Sequence, residues 1–241
     1  MTMDYQVISD RLVRSLKPSA APVAISFHGR EDRGLAPRLK LDSPEANEHG
    51  RTGQVPAGCV FWNEGQTRTF STVASDHGNC SVGSYTHGFL SLEDALKKDD
   101  IKAVLESGWV DEKSVMGLPR IDENPEYVVY GPLSDRDGAP DVVLLRVNGL
   151  GLMKMKDAFP EMRIEGKPSC HIIALAKQES AVVASVGCAL SRSRTGMRSD
   201  EVICAVPGNR LLDVVEKVEA AVELDLNMAG YASADAKRFS L

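Results

Sequence analysis

The chain has 241 residues, a formal net charge of −6, 43% apolar residues and 26% charged residues, values typical of a globular protein with one large domain or two closely paired halves. Long Lys/Arg clusters are absent and only 5% of the residues are aromatic, which argues against nucleic-acid binding. No apolar run reaches the roughly 18 residues of a membrane span, and the N-terminus lacks an apolar signal core, so we expect a cytoplasmic protein.

The first part of the chain predicts a helix, a buried strand and a polar insertion. Apolar residues at helical spacing over 4–16 predict an amphipathic helix, and the apolar run 22–27 predicts a buried strand. Residues 28–54 are polar and rich in Gly, Arg, Glu and Asp. Loops of that length are uncommon and often functional, so this insertion is either a functional loop or a mobile surface excursion.

The next stretch carries two cysteines. Residues 59–64 are too few to decide between a helix and a buried strand. Residues 67–74 alternate well enough for a strand, and 75–83 form a turn-rich loop that holds His77 and Cys80.

A helix over 91–106 begins with a capping box, because Asp94 follows Ser91 by three residues. A connector over 119–125 then leads into a short strand over 127–130.

The second part of the chain predicts further strands and helices. In order, they are a strand over 141–147, a helix over 148–160, a β-rich run over 181–186, a strand over 201–206, a helix over 210–224 and a weakly held tail. Gly149 and Gly151 do not complete a GxGxxG pattern, so we reject a dinucleotide-binding fold. A nucleophile elbow, a Walker loop and an HExxH motif are also absent from the sequence.

Residues 56–83 recur in degenerate form at 168–190. In each copy a proline precedes a small residue and a cysteine, a β-rich run follows, and a second cysteine closes the unit. The apolar run 21–27, upstream of the first copy, is answered by 139–145 upstream of the second. The repeat predicts an α+β fold of two repeated α/β halves related by a pseudo-two-fold axis, with mixed sheets and flanking helices.

The predicted halves span residues 1–118, with the polar insertion, and 119–241, and they form one compact pseudo-symmetric domain. Four of the five cysteines occupy equivalent positions in them: Cys59, Cys80, Cys170 and Cys188. The sequences around Cys59 and Cys170 resemble helix starts, where the helix dipole favours thiolate. Cys80 and Cys188 follow predicted strand ends, where α/β chains usually place their sites.

Four facing thiolates predict a metal centre. Soft thiolates select zinc or iron–sulfur clusters. Ligands on four separate loops suit a cluster, such as a 4Fe–4S cluster, better than zinc, whose ligands usually come in tight pairs. We therefore predict an iron–sulfur cluster between the halves, with zinc as the alternative. The protein would be an oxidoreductase or lyase that uses the cluster for redox or Lewis-acid chemistry on a small anionic molecule.

Other interpretations stay open. In a metal-free enzyme, Cys59 or Cys170 would be the nucleophile. In a non-catalytic module, the thiols would bind a ligand or metal, or would only pack as small apolar groups. A redox partner protein and a homo-oligomer are both compatible with the sequence.

Polar residues near the cysteines are candidates for catalytic roles. We predict His77 and Arg192 as catalytic neighbours of the cluster. Arg192 and Arg194 could hold an anion by forked hydrogen bonds, or could belong to an exposed basic turn. His87 and His171 are weaker candidates, as histidines adjacent to cysteine loops. Cys204 lies in an apolar run outside the repeat and is predicted to be core.

The order of these short motifs is similar to that of the bacterial and archaeal family known as DUF169. The matching stretches span roughly residues 12–218. They include Cys59, His77-Gly78-Asn79-Cys80 with Gly83, Gly131-Pro132-Leu133, Ser169-Cys170, Gly187-Cys188 with Arg192, and Glu201 before Val-Pro. The resemblance implies that the four cysteine positions are family features, and it implies no substrate.

Overall fold

The computed structural model describes residues 3–30, 36–41 and 56–238. Their strands form one seven-stranded mixed sheet. The strands are β1 (Val23–His28), β2 (Phe70–Val73), β3 (Tyr127–Pro132), β4 (Val142–Asn148), β5 (Arg163–Glu165), β6 (Val183–Ser185) and β7 (Glu201–Pro207). The order is β2-β3-β1-β4-β7-β6-β5, with β5 and β6 parallel and every other neighbouring pair antiparallel. The predicted mixed α+β class is therefore confirmed.

Helices cover both faces of this sheet. They are α1 (Tyr5–Leu16), α2 (Gly58–Glu64), α3 (Ser81–Thr86), α4 (Leu92–Leu96), α5 (Asp99–Glu106), α6 (Glu112–Met116), α7 (Gly149–Ala158), α8 (His171–Glu179), α9 (Ala189–Thr195) and α10 (Leu211–Arg238). One face is packed by α1, α7 and α10, and the other by α2 and α8, with α3 and α9 beside them.

The central strand β4 shows why the sheet is covered twice. Its side chains alternate between the two faces: Val143 and Leu145 join the core under α1 and α10, whereas Val142 and Leu144 join the core under α2 and α8. A strand buried on both faces reads as a continuous apolar run. That is the pattern which predicted this strand from sequence.

Local capping explains several helix starts. The side chain of Asp4 accepts a hydrogen bond from the Val7 N–H at the start of α1, and Asn148 accepts from Gly151 at the start of α7. Ser91 likewise caps α4 by accepting from Asp94, which confirms the predicted start. Such caps satisfy N–H groups that lack partners inside the helix.

The predicted helix over 91–106 is two helices, because the backbone at Lys98 is extended (ψ 140°) and α5 begins anew after it. Two acidic residues, Asp99 and Asp100, open α5, where negative charge is favoured. Helix α6 and strand β5 were not predicted. The stretch 75–83, expected to be a loop, holds most of a short 3₁₀ helix (Ala74–His77) and the start of α3.

The C-terminal tail continues as part of α10 to Arg238 instead of ending near residue 224. In this extension the large apolar side chains of Leu224, Leu226, Met228 and Tyr231 are exposed. Nowhere in the described ranges is a helix both long and apolar enough to cross a bilayer.

Part of the predicted polar insertion lies along the edge of the sheet. Ser71 in β2 donates its N–H to the Pro37 carbonyl, and Leu39 donates to the Ser71 carbonyl. Arg38 forms an ion pair of 2.8 Å with Asp76, which is almost fully buried. Residues 31–35 and 42–54 of the insertion lie outside the described residues.

Candidate functional site

Each of the four repeat cysteines stands at the start of a helix. Cys59 lies in the first turn of α2, whereas Cys80, Cys170 and Cys188 are the N-cap residues of α3, α8 and α9. The helix starts predicted at Cys59 and Cys170 are confirmed. Helices after Cys80 and Cys188 were missed, although Ser191, three residues after Cys188, completes a reciprocal capping pattern with it and is a signal of such a start.

The two cysteine-bearing helices from the early part of the chain pack against the two from the late part. Helix α2 packs against α9, and α3 packs against α8. As a result, all four cysteines line one cavity of about 100 Å³. They are free thiols. Negative charge on neighbouring site cysteines contributes to raising the pKa of Cys59, of Cys80 and of Cys170.

Burial keeps three of these thiols protonated in the metal-free chain. Burial raises the pKa of Cys59 to about 12, neighbouring Cys80 raises it further, and the Arg194 guanidinium opposes the rise. Burial also raises the pKa of Cys80 and of Cys170. The prediction that helix starts favour thiolate therefore does not hold for Cys59 and Cys170 without a metal, because desolvation outweighs the dipole.

In the part of the chain that the structure describes, no three Cys, His, Asp or Glu side chains are grouped as ligands of one metal ion. A tetrahedral zinc site needs four ligands, with sulfur about 2.3 Å from the metal. The zinc alternative, like the iron–sulfur cluster, stays a prediction.

The rest of the cavity wall is largely apolar. Much of it comes from the helical segment between α3 and β3: Ile101, Val104, Trp109, Val110, Val115 and Leu118. Leu190 in α9 adds to it, and Asp100 and Asn79 are polar members of the lining. The cavity thus has a thiol region and an apolar region.

Arg194 brings a positive charge into this cavity. Its Nη2 donates to the main-chain carbonyl of Asn79 at 3.3 Å, and its positive charge opposes the rise in the pKa of Cys59. Its Nη1 is buried and has no hydrogen-bond partner among the described residues.

Arg192 is placed differently. It donates to three main-chain carbonyls, those of Val186, Arg198 and Glu201. The residues lining the cavity include Arg194 but not Arg192. The catalytic role predicted for Arg192 stays a prediction, and its contacts are those of a residue that holds the loops on either side of α9.

His77 lies behind the cavity, in a fully buried pair with His87. The ring centroids are 5.4 Å apart. His77 Nε2 shares a hydrogen bond of 2.9 Å with the Thr72 hydroxyl, and His87 Nδ1 donates to the Gly83 carbonyl at 2.8 Å. Their other ring nitrogens have no hydrogen-bond partner in the described ranges.

Burial keeps both histidines neutral near pH 7. It lowers the pKa of His87 to about 4, and it lowers the pKa of His77 well below the usual range, with His87 adding repulsion. Gly58, next to Cys59, lies directly over the pair: a Cβ at that position would be 3.1 Å from His87 Cε1. The pair therefore supports the start of α2, and the catalytic role of His77 stays a prediction.

The remaining candidates lie outside the cavity. His171 begins α8 and faces Glu165, with 3.5 Å between Nε2 and Oε2. Cys204 is fully buried in the core under α1 and α10, as predicted, and burial raises its pKa to about 12.

A mixed α+β sheet protein with four cysteines around one cavity is the class that fold and site define. The chain belongs to the DUF169 family, described as "Uncharacterised ArCR, COG2043", whose model matches residues 11–217. It is 26% identical over 166 residues to "Uncharacterized protein MJ0308" of Methanocaldococcus jannaschii, a match that covers 63% of this chain and 70% of the relative. No solved structure matches the chain.

Proposed function

We propose that Cys59, Cys80, Cys170 and Cys188 hold an iron–sulfur cluster, used by an oxidoreductase or lyase on a small anionic molecule. One observation carries the proposal: thiols from four separate helix starts, far apart in sequence, line a single cavity. A group of four thiols around one cavity is unusual packing, because each sulfur gives up dispersion contacts with carbon neighbours around an open space.

The cavity would lie between two repeated halves of the chain. From the centre of the sheet outward, one side carries β1, β3 and β2, and the other side carries β4, β7 and β6. On this pattern β1 would correspond to β4, β3 to β7 and β2 to β6. In the central antiparallel pair, Val23 faces Leu144, Ala24 faces Val143 and Ile25 faces Val142. This register supports a pseudo-two-fold axis that passes between the paired residues Ala24 and Val143.

Hydrogen bonds just beyond these strands support the same axis and refine the alignment. Leu133 donates its N–H to the Pro22 carbonyl, and Gly208 donates to the Asp141 carbonyl. Pro22 thus corresponds to Asp141, one residue beyond the match with Pro140 that the sequence suggests. The cross-packing of α2 with α9 and of α3 with α8 also follows from such symmetry.

A cluster fits the thiols better than the alternatives do. In a four-iron cluster each thiolate binds a different iron, so the sulfurs need not converge on one point as they must around zinc. A cysteine nucleophile needs a lowered pKa, whereas burial raises the pKa of Cys59 and of Cys170. A bound metal supplies the positive charge that deprotonates its thiol ligands.

The chain's own residues have distinct tasks in this proposal. When bound, the cluster supplies an electron-transfer centre or a Lewis acid. Arg194 would hold the negative end of the substrate, the apolar wall would exclude water, and Arg192 would fix the position of α9. A redox partner protein would be needed only if the cluster exchanges electrons with another protein.

Anaerobic purification followed by iron and acid-labile sulfide analysis tests the proposal. We expect a brown protein with broad absorption near about 400 nm and iron and sulfide in equal amounts. A colourless protein that stays free of iron and sulfide after anaerobic reconstitution would contradict the cluster. Zinc in place of iron would favour the non-catalytic metal-binding alternative.

A further inference from the structure

The cavity combines an apolar wall with one positively charged donor group, the guanidinium of Arg194. Ile101, Val104 and Leu118 face the space that the four thiols border. Ligand sites in proteins commonly pair an apolar lining with a few placed polar groups that fix orientation. A molecule bound here would therefore need an apolar body and a polar end.

Arg194 selects the polar end. Its Nη1 is buried without a hydrogen-bond partner among the described residues, and leaving a charged donor buried and unpaired is costly. An acceptor on the ligand would remove that cost. Because a guanidinium donates in a planar fork, a carboxylate is a well-matched acceptor.

Local charge argues for a singly charged ligand. Arg194 is the one Lys or Arg among the residues described as lining the cavity, and Asp100 contributes a negative charge at its exposed edge. A phosphate dianion would keep part of its charge uncompensated in a mostly apolar space, whereas a carboxylate carries one charge. The Asp100 carboxylate is itself held by the Ser81 N–H at 2.8 Å.

We propose that the cavity binds a small carboxylate with an apolar body, its carboxylate on Arg194 and its body against Val104 and Leu118. This inference rests on the proposed function, since it names the class of anionic molecule that the cysteine site would act on. The volume of about 100 Å³ suits a short chain, because it is smaller than the dry cavity of about 150 Å³ that holds benzene.

Binding of straight-chain carboxylates from acetate to octanoate, and of benzoate, tests the inference by calorimetry on the anaerobically purified chain. Each probe is paired with its amide, and inorganic phosphate is included. We expect carboxylates to bind at least tenfold more tightly than their amides. Affinity should rise about three- to fourfold per added methylene until the cavity is full.

Two variants locate the ligand. Arg194→Gln should weaken hexanoate binding about ten- to a hundredfold, whereas Arg14→Gln, on an exposed face of α1, should leave it unchanged. Val104→Thr keeps the shape of the side chain and should weaken hexanoate binding while sparing acetate. The Val104 variant keeps the test decisive if Arg194→Gln does not fold.

Iron is measured in the same samples, so that the two proposals fail separately. Carboxylate binding that depends on Arg194 in a chain without iron would overturn the proposed cluster and leave this inference standing. An iron-loaded chain that binds amides or phosphate as tightly as carboxylates would overturn this inference alone.

Discussion

Arg194 donates a hydrogen bond to the main-chain carbonyl of Asn79 at 3.3 Å. The bond joins α9, which starts at Cys188, to the residue before Cys80, and so ties together the loops that carry two of the four thiols. Arg192 lies two residues earlier in the same helix, yet its guanidinium donates hydrogen bonds to the main-chain carbonyls of Val186 and Glu201. The two arginines therefore predict opposite phenotypes.

Arg192→Gln should lower the free energy of unfolding by about 2 kcal/mol, because three main-chain carbonyls lose a charged donor. It should leave the preference for carboxylates over amides intact. Denaturant unfolding and calorimetry on the same variant measure both properties. A stable Arg192→Gln chain that no longer binds carboxylates would contradict this purely structural role and support the catalytic role predicted from sequence.

Without a metal, the thiols of Cys59, Cys80 and Cys170 should be unreactive at neutral pH. Burial raises the pKa of Cys59 to about 12, so only about one molecule in 100,000 carries that thiolate at pH 7. Alkylation by iodoacetamide, followed by mass spectrometry after removal of any metal, should accelerate about tenfold per pH unit from about pH 7 to 10.

A small cysteine peptide provides the control for that profile, since its alkylation levels off above about pH 9. If Cys59 or Cys170 reacts faster than the peptide at pH 7, the metal-free nucleophile becomes the better interpretation of the site.

The buried histidine pair should make the protein sensitive to acid. Burial lowers the pKa of His87 from 6.5 to about 4, so the unfolded chain binds a proton below pH 6.5 that the folded chain does not. Stability is therefore complete above pH 6.5 and falls as the pH drops towards 4, by about 3 kcal/mol for His87 alone.

His87→Asn can still donate to the Gly83 carbonyl but does not titrate, so its unfolding free energy should fall less over that range. His28→Asn, at the partly exposed end of β1, is the matched control and should keep most of the wild-type slope. Equal slopes in all three chains would show that the pair is not the acid-sensitive element.

Gly208 directly follows the end of β7, where its N–H donates a hydrogen bond to the carbonyl of Asp141, the residue before β4. A Cβ there would overlap the Pro140 carbonyl oxygen, a backbone atom that cannot move aside as a flexible side chain could. Gly208→Ala should therefore lower the free energy of unfolding by about 3 kcal/mol or more. Gly138→Ala, with open space around it, should have little effect in the same denaturant titration.

Much of the sheet was predictable, because its strands are apolar runs of the right length. Strands β1, β4 and β7 are buried on both faces and were predicted to within one or two residues. The break between α4 and α5, helix α6 and strand β5 were not. Short elements such as α6 carry little periodicity, and contacts across the fold, which no local pattern encodes, decide where they begin.

The sequence identified the four cysteines of the candidate site, whereas the catalytic roles of His77 and Arg192 stay predictions. The recurrence of one segment in the sequence singled out these four cysteines, and all of them line the cavity. The pKa of Cys59 was predicted in the wrong direction, because burial cannot be read from neighbours in sequence. The sequence did not distinguish Arg194 from Arg192. The two residues lie on different sides of α9, and the sequence alone does not indicate which side faces the cavity.

Iron content across a set of single cysteine variants tests the central claim most directly. Cys59→Ala, Cys80→Ala, Cys170→Ala and Cys188→Ala are purified anaerobically beside Cys204→Ala, whose thiol lies in the core away from the cavity. We predict that each of the first four loses most of its iron and sulfide, while Cys204→Ala keeps the wild-type amounts per folded chain. Wild-type iron in any two of the four cavity variants, or equal loss in Cys204→Ala, would contradict a single site built from these four thiols.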